Sequence, residues 1–275
     1  MTNTSEDMEI SLLLEAIHRN YHYDFRGYAM ASVRRRLKLA RDRFGFRSYS
    51  QLQDHVLHDA AGLNAVLSFL TVQVSEMFRD PAYFRAVREK VIPHLRTYPS
   101  LKVWIAGCSS GEELYSFVIM FREEGLEDKT LFYATDISAD ALKKAELGVY
   151  DLSRIAQFSE NYQKAGGKTS LSDYYTAGYG AVTFDKSLRR RVVFSDHSLA
   201  TDAVFAEMQM ISCRNVLIYF ERDLQNRAIG LFSESLNRKG FLGLGAKESL
   251  RFTKHSDDFA DFSKDERIYQ KTGGA

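Results

Sequence analysis

Apolar residues recur at intervals of three and four through about the first 70 residues, which is the spacing of amphipathic helices. Gly45 is suited to end the second of these helices, and Ser48 is suited to cap the third. The pattern predicts helices over about residues 8–20, 29–44, 48–58 and 61–72. We therefore expect a small all-helical domain over residues 1–75.

From residue 101 onward, short apolar runs of strand length alternate with helical patterns. We expect strands over about residues 101–106, 130–135, 208–213 and 240–245, and helices over about residues 111–124, 138–146 and 222–236. A hairpin is predicted between Ala181–Phe184 and Val192–Phe194, and a closing antiparallel pair between Phe259–Phe262 and Ile268–Gln270. The alternating order predicts an α/β fold with a parallel sheet and right-handed crossovers.

The two parts are joined by residues 76–98, where Asp80-Pro81 is a helix start. We therefore expect an ordered linker and helix over 76–98 and an α/β domain over 99–275. The hairpin is expected to form a small β subdomain at about residues 170–195.

The first predicted strand leads through a turn of small residues into a helix, over Leu101–Glu113. Such a unit holds nucleoside cofactors in open α/β sheets, and either Ser109 or Ser110 is expected to cap the helix. Glu112 and Glu113 stand where a dinucleotide would place its pyrophosphate, which two acids would repel. We therefore expect a cationic ligand without phosphate, and S-adenosylmethionine fits with its sulfonium and ammonium groups.

Parallel sheets bind ligands beyond the carboxyl ends of their strands. Asp136 follows the second strand, so it either accepts hydrogen bonds from ribose hydroxyls or caps the helix near Ser138. Glu113 either pairs with an ammonium group or interacts with the helix dipole. Residues 198–199 and 214–219 are predicted at the same edge.

The second helix carries six cations against the single acid Asp42. It presents either an ordinary solvated face or a docking face for an acidic partner. The cations are Arg34, Arg35, Arg36, Lys38, Arg41 and Arg43.

Composition narrows the possible classes of protein. The net charge is +1, so no global field attracts nucleic acid or a membrane surface. No leader peptide and no apolar run of about 18 residues is present, so we expect a cytoplasmic protein without membrane insertion. Cys108 and Cys213 are expected to be free thiols that pack as small apolar groups. We expect no metal site and a monomer.

Four segments resemble the chemotaxis receptor methyltransferases, and the similarity extends along nearly the whole chain. They are Thr71–Arg79, Val103–Tyr115 (VWIAGCSSGEELY), Ala134–Ile137 and Cys213–Phe220 (CRNVLIYF). The resemblance implies a Rossmann-like S-adenosylmethionine-dependent methyltransferase domain with a helical N-terminal domain and an inserted small antiparallel β subdomain. It also implies methyl transfer to glutamate carboxylates on the cytoplasmic helical region of chemoreceptors, for chemotactic adaptation, with S-adenosylhomocysteine as product.

The resemblance also implies roles for single residues. Arg79 and Tyr219 match catalytic positions, Arg79 by orienting the cofactor or the substrate carboxylate, and the basic helix Arg34–Arg43 matches the receptor-docking helix. The implied cofactor contacts are Gln73, Ser75, Arg79, Gly107, Glu113, Asp136, Ser198, Leu199, Asn215 and Val216. The chain departs from the family where Gln73 and Ser75 replace Asn and Thr, where Leu114 replaces Pro, and at Gly245–Glu248, where the family has Gly-His-Ser-Glu. The hairpin is also shorter than in members that bind a receptor tail.

Two other functions are compatible with the same residues. A nucleic-acid methyltransferase would use Arg34–Arg43 and Arg189–Arg191 as phosphate contacts. A regulatory module would bind the cofactor and transfer nothing.

Overall fold

The computed structural model describes residues 5–59, 61–71 and 73–273. The chain divides into two compact units. The helical unit comprises residues up to 72 together with 198–202 and 219–228, and the sheet unit comprises 73–197, 203–218 and 229–275. The sequence did not predict that residues 198–202 and 219–228 belong to the helical unit.

The helical unit is built from short amphipathic helices. They are α1 (Ser5–Tyr21), α2 (Met30–Phe44), α3 (Tyr49–His58) and α4 (Gly62–Leu70). As predicted, Gly45 ends α2 in the left-handed conformation, and the Ser48 side chain caps α3 by accepting a hydrogen bond from the Gln51 N–H. Apolar side chains such as Ile10 and Leu37 are buried. The predicted end of the fourth helix at Val72 lies outside the described residues.

The sheet unit contains a seven-stranded mixed sheet in the order β6-β2-β1-β7-β8-β10-β9. Its strands are β1 (Leu101–Ala106), β2 (Thr130–Asp136), β6 (Val192–Asp196), β7 (Met208–Cys213), β8 (Leu236–Leu244), β9 (Phe259–Ser263) and β10 (Ile268–Lys271). The first five in this order are parallel, and β10 pairs antiparallel with both β8 and β9. The parallel α/β sheet and the closing antiparallel pair are therefore confirmed.

Helices connect the strands of the sheet unit. They are α5 (Pro81–Ala86), α6 (Ile92–Leu95), α7 (Glu112–Glu123), α8 (Ala139–Leu147), α9 (Ile155–Lys164) and α10 (Arg222–Ser235), of which α10 begins in the helical unit. A π-helical turn at Val87–Val91 joins α5 to α6. Helix α7 is buried on most sides, which fits its place directly after the central strand β1.

A second, three-stranded antiparallel sheet has the order β3-β5-β4, with β3 at Val149–Asp151, β4 at Tyr175–Gly178 and β5 at Ala181–Phe184. The hairpin predicted between Ala181–Phe184 and Val192–Phe194 is wrong. Strand β5 instead forms its hairpin with β4, because Tyr179 and Gly180 both adopt positive φ, as a tight two-residue turn requires. Strand β6 pairs in parallel with β2 in the large sheet.

Among the described residues, no helix is both long enough and apolar enough to cross a membrane.

Candidate active site

The turn between β1 and α7 is held by hydrogen bonds to the end of β2. The Cys108 N–H donates to the Thr135 carbonyl at 2.8 Å, and the Ser109 N–H donates to Asp136 Oδ2 at 2.8 Å. The Gly111 N–H closes the turn on the Cys108 carbonyl at 2.9 Å. The shape of the turn is therefore determined by the neighbouring strand.

Two glycines in this turn are required by its geometry. A Cβ atom on Gly107 would lie 2.5 Å from Val216 Cγ2, and one on Gly111 would lie 2.8 Å from Ala145 Cβ. Both residues also have positive φ, which side chains disfavour. The turn thus lies directly against the segment after β7 and against α8.

Neither serine of the turn caps α7, contrary to the prediction. Gly111 occupies the capping position without a side-chain bond, and Ser110 Oγ donates to the Glu112 carboxylate at 2.8 Å. Ser109 lies two residues before the capping position and has a positive φ. Its buried Oγ has no hydrogen-bond partner among the described residues.

Both acids at the start of α7 are paired with arginines. Glu112 is fully buried and accepts a hydrogen bond from Arg154 Nη1 at 2.8 Å. Glu113 Oε2 lies 3.1 Å from Arg214 Nη1, and Glu113 Oε1 accepts from Ser212 Oγ at 2.7 Å. Each acid therefore has its own cation, which the sequence did not indicate.

Arg214 connects several parts of the site and was not singled out from the sequence. Its side chain is 1% exposed. Its Nη2 donates to Asp80 Oδ2 at 2.8 Å and to the Arg79 carbonyl at 3.0 Å. The guanidinium also lies over the Tyr83 ring, 4.1 Å from the ring centroid. The only sequence signal was its place between a buried strand and Asn215.

Arg79 lies in a tight turn whose two neighbours are conformationally strained. Phe78 and Asp80 have φ values of 50° and 56°, which non-glycine residues rarely adopt. The Arg79 side chain is half-buried, and its guanidinium forms no hydrogen bond or ion pair within the described part of the chain. Strain of this kind is found where a fold must hold a side chain in one place.

Asp136 accepts backbone hydrogen bonds at the end of β2. Its Oδ1 accepts the Ser138 N–H at 2.9 Å and its Oδ2 accepts the Ser109 N–H, so each oxygen retains free lone pairs. Ser138, not Asp136, caps α8 through its own hydroxyl. Burial raises the pKa of Asp136, and the N–H donors act against that rise.

The linker residues preceding Arg79 belong to the sheet unit and contact its other elements. Gln73 Nε2 donates to Ser138 Oγ at 2.9 Å, and the Ser75 carbonyl accepts from Arg154 Nη2. Arg154 therefore joins the linker to Glu112, a connection that the sequence did not indicate.

The segment after β7 contains the predicted contacts Asn215 and Val216. Asn215 has a φ of 61°. The backbone N–H groups of Asn215 and Val216 donate to the Glu248 carboxylate at 2.9 and 2.8 Å. Glu248 lies in the Gly245–Glu248 stretch that departs from the family pattern, and for that reason it was not predicted as a site residue.

Three residues predicted at the cofactor or the methyl group belong to the helical unit: Ser198, Leu199 and Tyr219. The Ser198 N–H donates to Asp202 Oδ2 at 2.9 Å, and the Leu199 carbonyl accepts from Arg227 Nη1 at 2.7 Å. Tyr219 is half-buried and its ring lies 5.1 Å from the Arg36 guanidinium.

The six cations of the basic helix α2 differ in their surroundings, because some have partners and others are exposed. Three of its cations have partners within the helical unit: Arg34 pairs with Asp7, Arg41 with Asp42 and Glu6, and Arg36 with the Phe69 and Leu70 carbonyls. Partial burial lowers the pKa of Arg36. The side chains of Arg35, Lys38 and Arg43 are exposed, and so is that of Leu39.

Both cysteines are buried, and burial raises their thiol pKa well above the ordinary value. They are therefore inert thiols that fill the core, as predicted.

The residues of the sheet unit fit S-adenosylmethionine. Asp136 has unused acceptor capacity for a diol, and Gly107 places no side chain in the turn. The Ser109 hydroxyl and the Arg79 guanidinium have no hydrogen-bond partner among the described residues, and a guanidinium is a group that binds carboxylates. No group of three or more potential metal ligands occurs among the described residues.

Known proteins match the chain along almost all of its length. The family model described as "CheR methyltransferase, SAM binding domain" matches residues 73–268, and "CheR methyltransferase, all-alpha domain" matches residues 8–71. "Putative methyltransferase Cher3" of Pseudomonas putida is 54% identical over 266 residues, covering 97% of each chain.

Several relatives are named "Chemotaxis protein methyltransferase", among them one from Listeria monocytogenes and one from Vibrio parahaemolyticus. The one from Listeria monocytogenes is 31% identical over 237 residues, covering 85% of this chain and 87% of its own. The one from Vibrio parahaemolyticus is 32% identical over 230 residues, covering 79% of this chain and 80% of its own.

Proposed function

Because this chain belongs to the CheR family of methyltransferases, we propose that it methylates glutamate side chains of chemoreceptors. The family, the S-adenosylmethionine cofactor and the Rossmann-like fold predicted from the sequence are confirmed. Methyl transfer to a receptor glutamate is the finer step that we infer.

The observation that carries the proposal is the free guanidinium of Arg79 in a turn fixed by Arg214. A cation with no partner in the described part of the chain, held by strained backbone on both sides, is suited to bind a carboxylate. A glutamate side chain is such a group, and it is already ionised at neutral pH because its reference pKa is about 4.3. The substrate therefore needs no general base.

The chemistry then requires positioning more than proton transfer. When bound, S-adenosylmethionine supplies a methyl group already activated by its sulfonium and leaves as S-adenosylhomocysteine. We infer that Arg79 binds one carboxylate oxygen and leaves the other oriented for in-line attack. Orientation of this kind lowers barriers by up to about 7–11 kcal/mol in intramolecular models. We assign Tyr219 to the border of the methyl path on the basis of the resemblance.

The cofactor would be held by residues from several elements. We assign Asp136 to the ribose hydroxyls and Gly107 to the close backbone approach. Glu113 would share its carboxylate between Arg214 and the ammonium group. The remaining proposed contacts are Gln73, Ser75, Ser198, Leu199, Asn215 and Val216.

The receptor would dock on the exposed part of α2. Arg35, Lys38 and Arg43 are the cations that face solvent, and exposed Leu39 provides an apolar contact among them. An acidic amphipathic helix matches this combination in charge and polarity. Arg34, Arg36 and Arg41 are engaged within the helical unit, so we assign them a smaller share of receptor binding.

The test is incubation of the protein with S-adenosylmethionine carrying a radioactive methyl group and membranes that contain a chemoreceptor. We expect label in the receptor that mild base releases as methanol, since methyl esters hydrolyse under these conditions. Membranes whose receptor has alanine in place of the glutamates of its helical region are the matched control. Base-stable label, or label found in nucleic acid, would show that the substrate assignment is wrong.

A further inference from the structure

Glu248 is a buried carboxylate whose acceptor atoms face backbone donors from two segments. The residue is 4% exposed. Its Oε1 accepts the N–H groups of Val216 at 2.8 Å and Ile218 at 3.3 Å. Its Oε2 accepts the N–H groups of Gly245 at 2.6 Å and Asn215 at 2.9 Å. Both oxygens are thus occupied by main-chain donors of the sheet unit.

Three of these four donors come from the segment that follows β7, residues 215–218. Strand β7 ends at Cys213, and Asn215 adopts a positive φ that turns the chain sharply. A segment in this conformation directs successive N–H groups to the same side, where an anion can bind them together. Here the anion is a side chain of the protein itself. The shape of residues 215–218 therefore depends on Glu248.

The effect extends to the glycine turn of the cofactor site. Val216 lies so close to Gly107 that a Cβ atom on the glycine would be 2.5 Å from Val216 Cγ2. A displacement of Val216 would consequently alter the space beside Gly107. Glu248 can therefore determine both the conformation of residues 215–218 and the space beside Gly107 in the turn between β1 and α7.

We propose that Glu248 is a positioning residue that preorganises the loop 215–218 for the cofactor. This inference rests on the proposed placement of the cofactor at Asn215 and Val216, but not on the identity of the methyl acceptor. Glu248 acts through the loop and does not touch the cofactor. Preorganisation of a binding loop increases affinity because less order has to be imposed on binding.

The carboxylate group is specifically suited to this role. Each oxygen of Glu248 accepts N–H groups from the loop. In a glutamine side chain, an NH2 group would replace one of these oxygens, and this donor would face the N–H donors of the backbone. Aspartate retains both acceptor oxygens on a shorter side chain. Glu248→Gln should therefore impair the loop more than Glu248→Asp does.

The experiment measures S-adenosylhomocysteine affinity by calorimetry, together with thermal unfolding, for the full chain and its variants. We expect Glu248→Gln to weaken binding by roughly 10-fold or more, with partial rescue in Glu248→Asp. The matched control is Glu234→Gln, which changes an exposed glutamate of α10 and should bind normally. A folded Glu248→Gln variant with unchanged affinity would overturn the proposal.

A second measurement uses the unaltered protein, so it does not depend on whether a variant folds. Hydrogen–deuterium exchange of the peptide containing residues 215–218 should be slow before any cofactor is added. Rapid exchange that becomes slow only with S-adenosylhomocysteine would contradict preorganisation. Receptor methylation is not needed for either readout, so a failure of the proposed substrate leaves this test intact.

Discussion

Arg214 Nη1 lies 3.1 Å from Glu113 Oε2, and these two residues are 101 positions apart in the chain. Arg214 also donates to the Asp80 carboxylate and to the Arg79 carbonyl. One buried cation therefore joins the start of α7 to the turn that carries the proposed catalytic arginine. This relationship makes the geometry of the Arg79 turn dependent on Arg214.

Replacing Arg214 should be costly, because Glu113 would lose its cation in a nearly buried place. We expect Arg214→Met to destabilise the fold by roughly 3–5 kcal/mol, the usual cost of breaking a buried pair. Arg214→Lys retains the charge but not the forked geometry, so its effect should be intermediate. Thermal unfolding measures both. The control is Arg190→Met, which removes an exposed ion pair with Asp128 and should cost at most about 1 kcal/mol. If Arg214→Met and Arg190→Met lost the same stability, the structural role of Arg214 would be contradicted.

Arg79 should matter for turnover more than for cofactor binding. If its guanidinium orients the substrate carboxylate, Arg79→Ala should lower kcat/KM by roughly 10²–10³-fold, as loss of one charge-stabilising donor does elsewhere. Affinity for S-adenosylhomocysteine should change far less. Arg85→Ala, on the exposed side of α5, is the control and should retain normal turnover. Equal losses of affinity and turnover would indicate that Arg79 serves the cofactor alone.

Gly107 should tolerate no side chain. Gly107→Ala combines an unfavourable positive φ with a Cβ atom 2.5 Å from Val216, so we expect about 1–3 kcal/mol of destabilisation and a loss of S-adenosylhomocysteine affinity. Gly125→Ala is the control that has the unfavourable φ without the steric clash, since Gly125 has a φ of +67° and nothing lies within 4 Å of its Cβ position. Normal cofactor binding by Gly107→Ala would remove this turn from the site.

Receptor docking should depend on the exposed cations of α2. We expect the double variant Arg35→Glu, Lys38→Glu to raise the KM for receptor by roughly 10-fold at low ionic strength, with a smaller effect at high salt. The affinity for S-adenosylhomocysteine should not change. Lys143→Glu, at an exposed position of α8 in the sheet unit, is the control for a charge reversal outside α2. A KM that is the same for the double variant and the control would exclude this surface.

The pH dependence of cofactor binding should follow Asp136. Burial raises the pKa of its carboxyl above the ordinary value of 3.8, so the folded state binds this proton more tightly than the unfolded chain does. Its contribution to stability is therefore present at low pH and is lost as the pH rises through the folded-state pKa. Cofactor affinity should change in the opposite direction, because a diol is bound by the ionised acceptor.

Calorimetry with S-adenosylhomocysteine between about pH 4 and pH 7 tests this expectation. Affinity should fall toward the acidic end for the unaltered protein. Asp136→Asn should bind weakly with little pH dependence over the same range. An affinity that falls just as steeply in the Asn variant would assign the titration to another group.

Local features of this chain could be predicted because they depend on nearby residues. The helices of the N-terminal part, strands β1 and β7, and the caps at Gly45 and Ser48 follow from periodicity and from backbone preferences. The cofactor could also be predicted from a short segment, because the strand, the turn and the helix start of Leu101–Glu113 are consecutive in the sequence. These features require only that each segment take its locally favoured conformation.

The connections between distant segments were decided by the tertiary structure alone. The pairing of β6 with β2, the arginine partners of Glu112 and Glu113, and the loop contacts of Glu248 involve residues far apart in the chain. A buried charge needs a partner of opposite sign or a set of hydrogen-bond donors, but which residue supplies it depends on how the elements pack. The sequence by itself therefore determined the elements and the kind of ligand, and packing determined which side chains hold the site together.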